Sequence, residues 1–289
     1  MLEHVGVKRY AKRSVVAVSR ILSRPDLAAR RLILSYHSVH SRHHFASTNP
    51  IQFIKQLVWL NENTRVLPLR DVIDGLASSD GRPAVALTFD DGYEDNHSQA
   101  LPILRDFGFS ATFFITVGFL EKDPIVRERF SSLWSCGLDD VIPLSWGQVE
   151  DLRSSGMEVG SHSYSHRNLA IMSSAEAERE LQESRDAIRR RLGDPVDLFA
   201  YPFGKPRIHF TSATVDLVRA AGYRGAVAVT SRAIKDSDSL YSVPRFFADG
   251  DSVEKIENKV RGAYDPIGYW QEHAPLRFMA IVSRPDFQK

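Results

Sequence analysis

The 289-residue chain has one cysteine, Cys136, so it can form no internal disulfide, and a reducing compartment suits it. It has no run of about 18 apolar residues, so no spanning helix is expected. The net charge of +1 gives no electrostatic footprint for nucleic acid. Neither an internal repeat nor a low-complexity tract occurs. What is present is an ordinary globular composition, 43% hydrophobic and 25% charged, with aromatic residues at 10%. That length suffices for one large domain or two small ones.

Charge is unevenly placed. Residues 1–31 carry eight Lys/Arg against Glu3 and Asp26, a net of +6 that leaves −5 for the remainder. Val15, Val18, Ile21 and Leu22 fall at helical spacing among these bases. The segment reads as a basic amphipathic helix on an anionic membrane face or a partner, or more plainly as a solvated helix packed on the domain. Val15-Val16-Ala17-Val18 is too short for a secretory apolar core, and Arg20 interrupts it. The expected location is cytoplasmic, at the inner face of a membrane. Two parts are expected: a helical segment at 1–31 and one domain from 32 to 289.

Strand-like and helix-like stretches alternate through that domain. Leu32–Tyr36 and Ala84–Phe89 read as buried strands, as do Ala111–Thr116, Met157–Ser161, Leu198–Tyr201 and Gly225–Val229; Tyr241–Phe246 and Phe278–Val282 complete the set. Helices are expected after Asn49-Pro50, from Asp95 to Phe107, after the capping boxes Ser145/Gln148 and Ser173/Glu176, and from Thr211 to Ala221. Seven or eight strands separated by helices predict a single parallel α/β barrel, whose chemistry sits at the C-terminal ends of its strands. Asp90, His162 and Tyr201 all fall at such ends. The stretch from Glu121 to Pro143 is longer than a normal connection and reads either as a loop covering substrate or as a decoration.

Two features carry chemistry. Asp90 and Asp91 close an apolar run, and Gly160-Ser161-His162-Ser163-Tyr164-Ser165-His166 supplies two imidazoles four residues apart. One carboxylate with two neutral imidazoles makes a three-ligand metal site with open positions. The second carboxylate is then free to take a proton from water. Separately the signals are weak, since Asp-Asp-Gly is also a turn and spaced histidines are common on surfaces.

Together the motifs resemble those of the polysaccharide deacetylase family, the NodB-homology carbohydrate esterases. Thr88-Phe89-Asp90-Asp91-Gly92 is similar to its first motif, Ser161–His166 to its second and Tyr201-Pro202-Phe203-Gly204 to its third. Leu34-Ser35-Tyr36-His37-Ser38-Val39 and Val243-Pro244-Arg245 resemble the branch acting on poly-N-acetylglucosamine. The resemblance spans about residues 32–250. It implies a distorted (β/α)7-8 barrel in which Asp91, His162 and His166 hold a divalent metal, commonly zinc, with cobalt, nickel or iron also suited to these ligands. It further implies Asp90 as general base and the Tyr201/Phe203 segment at the oxyanion and substrate, with a backbone N–H, that of Phe203, stabilising the oxyanion.

Two departures stand out. The arginine that usually opens the third motif is replaced by Ala200, and Arg245 is the candidate to orient Asp90 in its place. The late histidine that supplies the family's general acid is not visible in residues 276–289. His37 is the leading candidate for that role, ahead of His273 and His209. His40, His43 and His44 read as a polar loop, and the glycosylation-like triplet Asn96-His97-Ser98 is discounted. The function implied is metal-dependent removal of N-acetyl groups from sugars of a polysaccharide or glycan precursor. The alternatives are an amidase or deformylase on a small or lipid-linked substrate, and a glycan-binding module without catalysis. The expected partner is carbohydrate, not nucleic acid.

Overall fold

A computed structural model describes residues 25–41, 46–75, 80–134 and 137–273, with isolated positions 16 and 19. Strands β1 (Arg31–Tyr36), β5 (Ala84–Phe89), β6 (Thr112–Ile115), β7 (Glu158–Ser161), β8 (Leu198–Ala200), β9 (Gly225–Val229) and β10 (Val243–Phe247) pair in parallel in the order β1-β10-β9-β8-β7-β6-β5, and β1 also pairs with β5. The sheet thus closes into a parallel barrel of seven strands. The short β4 (Arg65–Val66) adds to the edge of β5, while β2 (Ser38–Val39) and β3 (Ser47–Thr48) form a separate pair. The expected eighth strand, Phe278–Val282, lies outside the described residues.

Alternation along the strands builds two regions inside the barrel. At the N-terminal end Ile33, Ala84, Ala86, Phe114, Leu198, Ala200, Val227 and Val243 pack as one apolar cluster. Further along the same faces stand Ser35, Thr88 and Arg245, all buried. A parallel strand buried on both faces needs no polar side, so these three polar residues mark where packing gives way to chemistry. The alternate side chains Leu34, Tyr36, Leu87, Phe89 and Phe113 point outward beneath the helices.

The helices form where local signals and apolar stripes agree. Helix α1 (Pro50–Asn63) has Asn49 as its cap, Pro50 in its first turn, and Phe53, Leu57 and Leu60 inward. Next come α2 (Leu69–Ile73), a π-helical turn at Asn96–Ala100, and α3 (Leu101–Asp106). After α4 (Val117–Leu120), the stretch expected to be a long loop folds as α5 (Pro124–Trp134). Helix α6 (Trp146–Ser154) opens on the Ser145/Gln148 box, and α7 (Ser174–Leu192) on the Ser173/Glu176 box. Then α8 (Ser212–Ala220), α9 (Val253–Val260) and α10 (Asp265–His273) are the last helices among the described residues.

Most of the basic segment at 1–31 lies outside the described residues. Two of its eight bases do not belong to an exposed face. Arg30 pairs with Asp265 at 2.8 Å, and Arg31 opens β1 and pairs with Asp236. Both arginines are buried, so the barrel domain reaches back into the segment.

Candidate active site

Strand β5 delivers Asp90 and Asp91 at the mouth of the barrel. Asp91 adopts φ +76°, and its carboxylate is fully buried with no hydrogen-bond donor on either oxygen. The Tyr93 hydroxyl faces it without closing a bond of normal geometry. His162 follows β7, and its Nδ1 lies 2.8 Å from the Ala200 carbonyl. A carbonyl can only accept, so Nδ1 carries the proton and Nε2 presents a lone pair. His166 adopts φ +55° and is wedged between Phe130 and Phe203, with ring centroids 5.2 and 4.6 Å away.

Nε2 of His162 and of His166 stand 3.5 and 3.3 Å from Asp91 Oδ1. Atoms about 2.1 Å from one cation at tetrahedral angles lie roughly 3.4 Å apart. The three residues therefore fit a divalent cation, and Asp91 needs one, being a buried carboxylate that no donor neutralises. Burial raises the Asp91 pKa and lowers those of both histidines, which keeps the imidazoles in their neutral, ligating form.

Asp90 is held differently. Arg245 reaches from β10 and grips it with two parallel bonds, 2.7 and 2.8 Å long. The same guanidinium donates to Thr88 Oγ1 at 3.0 Å, and Ser35 Oγ donates to Asp90 at 3.3 Å. Burial alone would raise the Asp90 pKa, but the Arg245 charge outweighs it and holds the group well below the usual carboxylate range.

His37 leaves β1 beside this pair. Its Nδ1 lies 2.8 Å from Asp249 Oδ2, and its backbone N–H donates to Asp249 Oδ1 at 2.9 Å. Burial would lower the His37 pKa, but the Asp249 carboxylate overrides it and lifts the group to about 9. Asn96 Nδ2 donates to the His37 carbonyl at 2.7 Å. The buried Asn96 amide is thus committed inside the fold and offers no attachment point for a glycan.

The third motif behaves only partly as expected. Tyr201 stacks on Phe210 at 3.7 Å and donates its hydroxyl to the Tyr241 carbonyl at 3.0 Å. Its amide donates to the Val227 carbonyl. Tyr201 therefore has no free donor for substrate, and its side chain belongs to the core. Gly204 accommodates β9: a Cβ there would lie 2.6 Å from Val229 Cγ2. Phe203 does reach the site, through its ring edge on His166.

Of the weaker proton-donor candidates, His209 is held neutral, burial lowering its pKa to about 4, and it faces Phe203 rather than the open site. His273 stacks on Tyr269 and bonds its carbonyl at 2.8 Å. His43, His44 and Cys136 lie outside the described residues, as do residues 276–289. Asp249 and Asn96 were not anticipated from sequence. The strand-end rule that selected Asp90 would have found Asp249, which stands two residues beyond β10.

The profile of the polysaccharide deacetylase family matches residues 77–226. The chain belongs to this family. Among related sequences, the Bacillus subtilis protein YxkH is 22% identical over 220 residues, covering 75% of this chain and 71% of its own. The poly-beta-1,6-N-acetyl-D-glucosamine N-deacetylase of Staphylococcus aureus is 22% identical over 260 residues, covering 81% of this chain and 84% of its own. Among solved structures, IcaB from Ammonifex degensii superposes with a TM-score of 0.67 at 21% identity, over 82% of this chain and all of that one. The seven-stranded barrel is thus the fold of that protein. The matched region contains both the paired aspartates, Asp90 and Asp91, and the spaced histidines, His162 and His166, that converge in space.

Proposed function

We propose that this polysaccharide deacetylase is a metal-dependent hydrolase that removes N-acetyl groups from amino sugars of a polysaccharide or its precursor. One observation carries the reading. A buried carboxylate without a donor faces two imidazole lone pairs at ligand spacing, next to a second carboxylate held by arginine. Asp91, His162 and His166 would hold the divalent cation, zinc foremost, which polarises an amide carbonyl and makes water acidic enough to attack near neutral pH.

The chain's own groups supply the rest. Asp90 takes the proton of the attacking water; Arg245 fixes its plane and keeps it ionised. His37 stays protonated through neutral pH and gives its proton to the departing sugar nitrogen. With Nδ1 bonded to Asp249, the Nε2 proton is the one available for transfer. The Phe203 segment walls the oxyanion side beside His166. The similarity to the poly-beta-1,6-N-acetyl-D-glucosamine N-deacetylase of Staphylococcus aureus favours a β-linked N-acetylglucosamine chain as substrate class.

The glycan-binding reading lacks a reason for so complete a charge arrangement around an otherwise uncompensated Asp91. No helix among the described residues is long and apolar enough to cross a membrane. Peripheral association through residues 1–31, at a cytoplasmic membrane face, belongs to this proposal and draws on fewer bases than the sequence suggested. The test is acetate release from N-acetylglucosamine oligomers before and after chelation. Release that stops on chelation and returns with Zn²⁺ supports the reading. A zinc-loaded protein that releases no acetate from any acetylated sugar overturns it.

A further inference from the structure

The loop that carries the two histidines is built from a strained backbone. Ser163 and His166 both lie in the left-handed region, at φ +66° and +55°, although neither is glycine. Such residues cost on the order of 1 kcal/mol each and persist only where surroundings over-determine them. Every backbone group from Ser163 N to Ser165 O has a partner. Ser163 N–H donates to Ser161 Oγ and His166 N–H to Ser163 Oγ. The Ser163 and Tyr164 carbonyls accept from the amides of Val117 and Gly118 at 3.3 and 2.8 Å. Gly118 is required there, since a Cβ would meet the Tyr164 carbonyl oxygen at 2.8 Å.

The remaining groups are taken by two charged side chains from outside the loop. Glu180, on the second turn of α7, accepts from the amides of Tyr164 and Ser165 at 3.1 and 2.8 Å and also from the Ser165 hydroxyl. Arg129, on α5, donates to the Ser165 carbonyl. Its neighbour Phe130 packs on the His166 ring. The 121–143 stretch, read from sequence as a cover or a decoration, is therefore a buttress of this loop.

We infer that Glu180 and Arg129 are positioning residues for the metal site: their charge-assisted bonds to the Tyr164–Ser165 backbone hold His162 and His166 at ligand spacing before a cation binds. The inference rests on the assignment of Asp91, His162 and His166 as ligands. It predicts that a loosened clamp weakens the site itself. Groups that orient ligands from behind typically change metal affinity roughly 10- to 100-fold.

The experiment is calorimetric titration of the chelator-stripped full chain with Zn²⁺. E180Q removes the charge behind the clamp while leaving an oxygen that can still accept from both amides, and should raise the Zn²⁺ Kd toward the lower end of a roughly 10- to 100-fold range, with acetate release restored by excess Zn²⁺. E180D keeps the charge but cannot span the same distance, and should weaken binding as well. E183Q, on the same helix without a bond to the loop, should bind as wild type does. R129M should shift affinity in the same direction and gives a second reading if E180Q folds poorly. Wild-type affinity in E180Q and R129M, even with a lowered Tm, assigns these residues to general stability and overturns the inference. Wild-type affinity in E180D alone assigns the effect to charge at a distance and overturns it too. A wild-type chain that takes up no Zn²⁺ overturns the ligand assignment instead.

Discussion

Replacing Asp249 by asparagine should move the proton-donating group out of its working range. In the native protein the His37 side chain is only 14% exposed, and its pKa is raised to about 9. Against an ordinary value of about 6.5, that shift corresponds to about 3 kcal/mol of preference for the charged ring. Because the folded value is the higher one, this stability is fully present below about pH 6.5 and is lost as pH rises through about 9. In D249N the burial that lowers the His37 pKa is opposed only by the weaker pull of the Asp91 and Asp90 carboxylates, so the ring should titrate near its ordinary value. At pH 8 the protonated fraction should fall from about 0.9 to about 0.03, a loss of roughly 30-fold in acetate release. At pH 6 the loss should be less than about two-fold. Thermal melts across the same range give a reading independent of substrate. The wild type should exceed D249N by about 5–10 °C at pH 6, with the gap closing above pH 9. A basic limb of kcat/KM that D249N leaves in place would refute the assignment of His37 as the acid.

Further outcomes follow from the same geometry. R245M leaves a buried, unpaired Asp90 and should cost about 3–5 kcal/mol of stability, read by denaturant unfolding, along with most acetate release; R245K should recover part of the stability but little of the rate, since an ammonium cannot make both bonds. D91N and H166A should each reduce Zn²⁺ uptake below one ion per chain, measured by metal analysis after dialysis, with the barrel's circular dichroism unchanged. Y201F should cost about 1 kcal/mol from the lost bond to the Tyr241 carbonyl and leave kcat within about two-fold, because that hydroxyl faces the core.

The barrel was legible in the sequence because its strands are short apolar runs closed by unambiguous signals. Asn49-Pro50, Ser145/Gln148 and Ser173/Glu176 cap helices where expected. The elements missed were those whose patterns are local and weak. Helix α5 has a usual cap, Asp123 accepting from the Ile125 and Val126 amides, but its buried stripe is only Val126 and Phe130, and α9 and α10 lie beyond the strands that organised the reading. At the site, Asp90, Asp91, His162 and His166 could be read because they cluster in two motifs. Arg245 was found by asking what could replace the arginine absent at Ala200, and it does lie against Asp90. Tyr201 misled because a strand-end tyrosine looks available, whereas stacking on Phe210 and the bond to Tyr241 turn it inward. Asp249 stood just past a strand end and was passed over, whereas Glu180 was invisible for a different reason: it acts on residues more than ten positions away, through contacts that only the folded barrel creates.

The most direct test of the central claim is an anomalous-difference map, collected at the zinc edge, from crystals of the chain grown with Zn²⁺. The account predicts one strong peak about 2.0–2.2 Å from Asp91 oxygen and from Nε2 of both His162 and His166. A peak bound elsewhere, or none at this cluster in protein that still releases acetate, would contradict it.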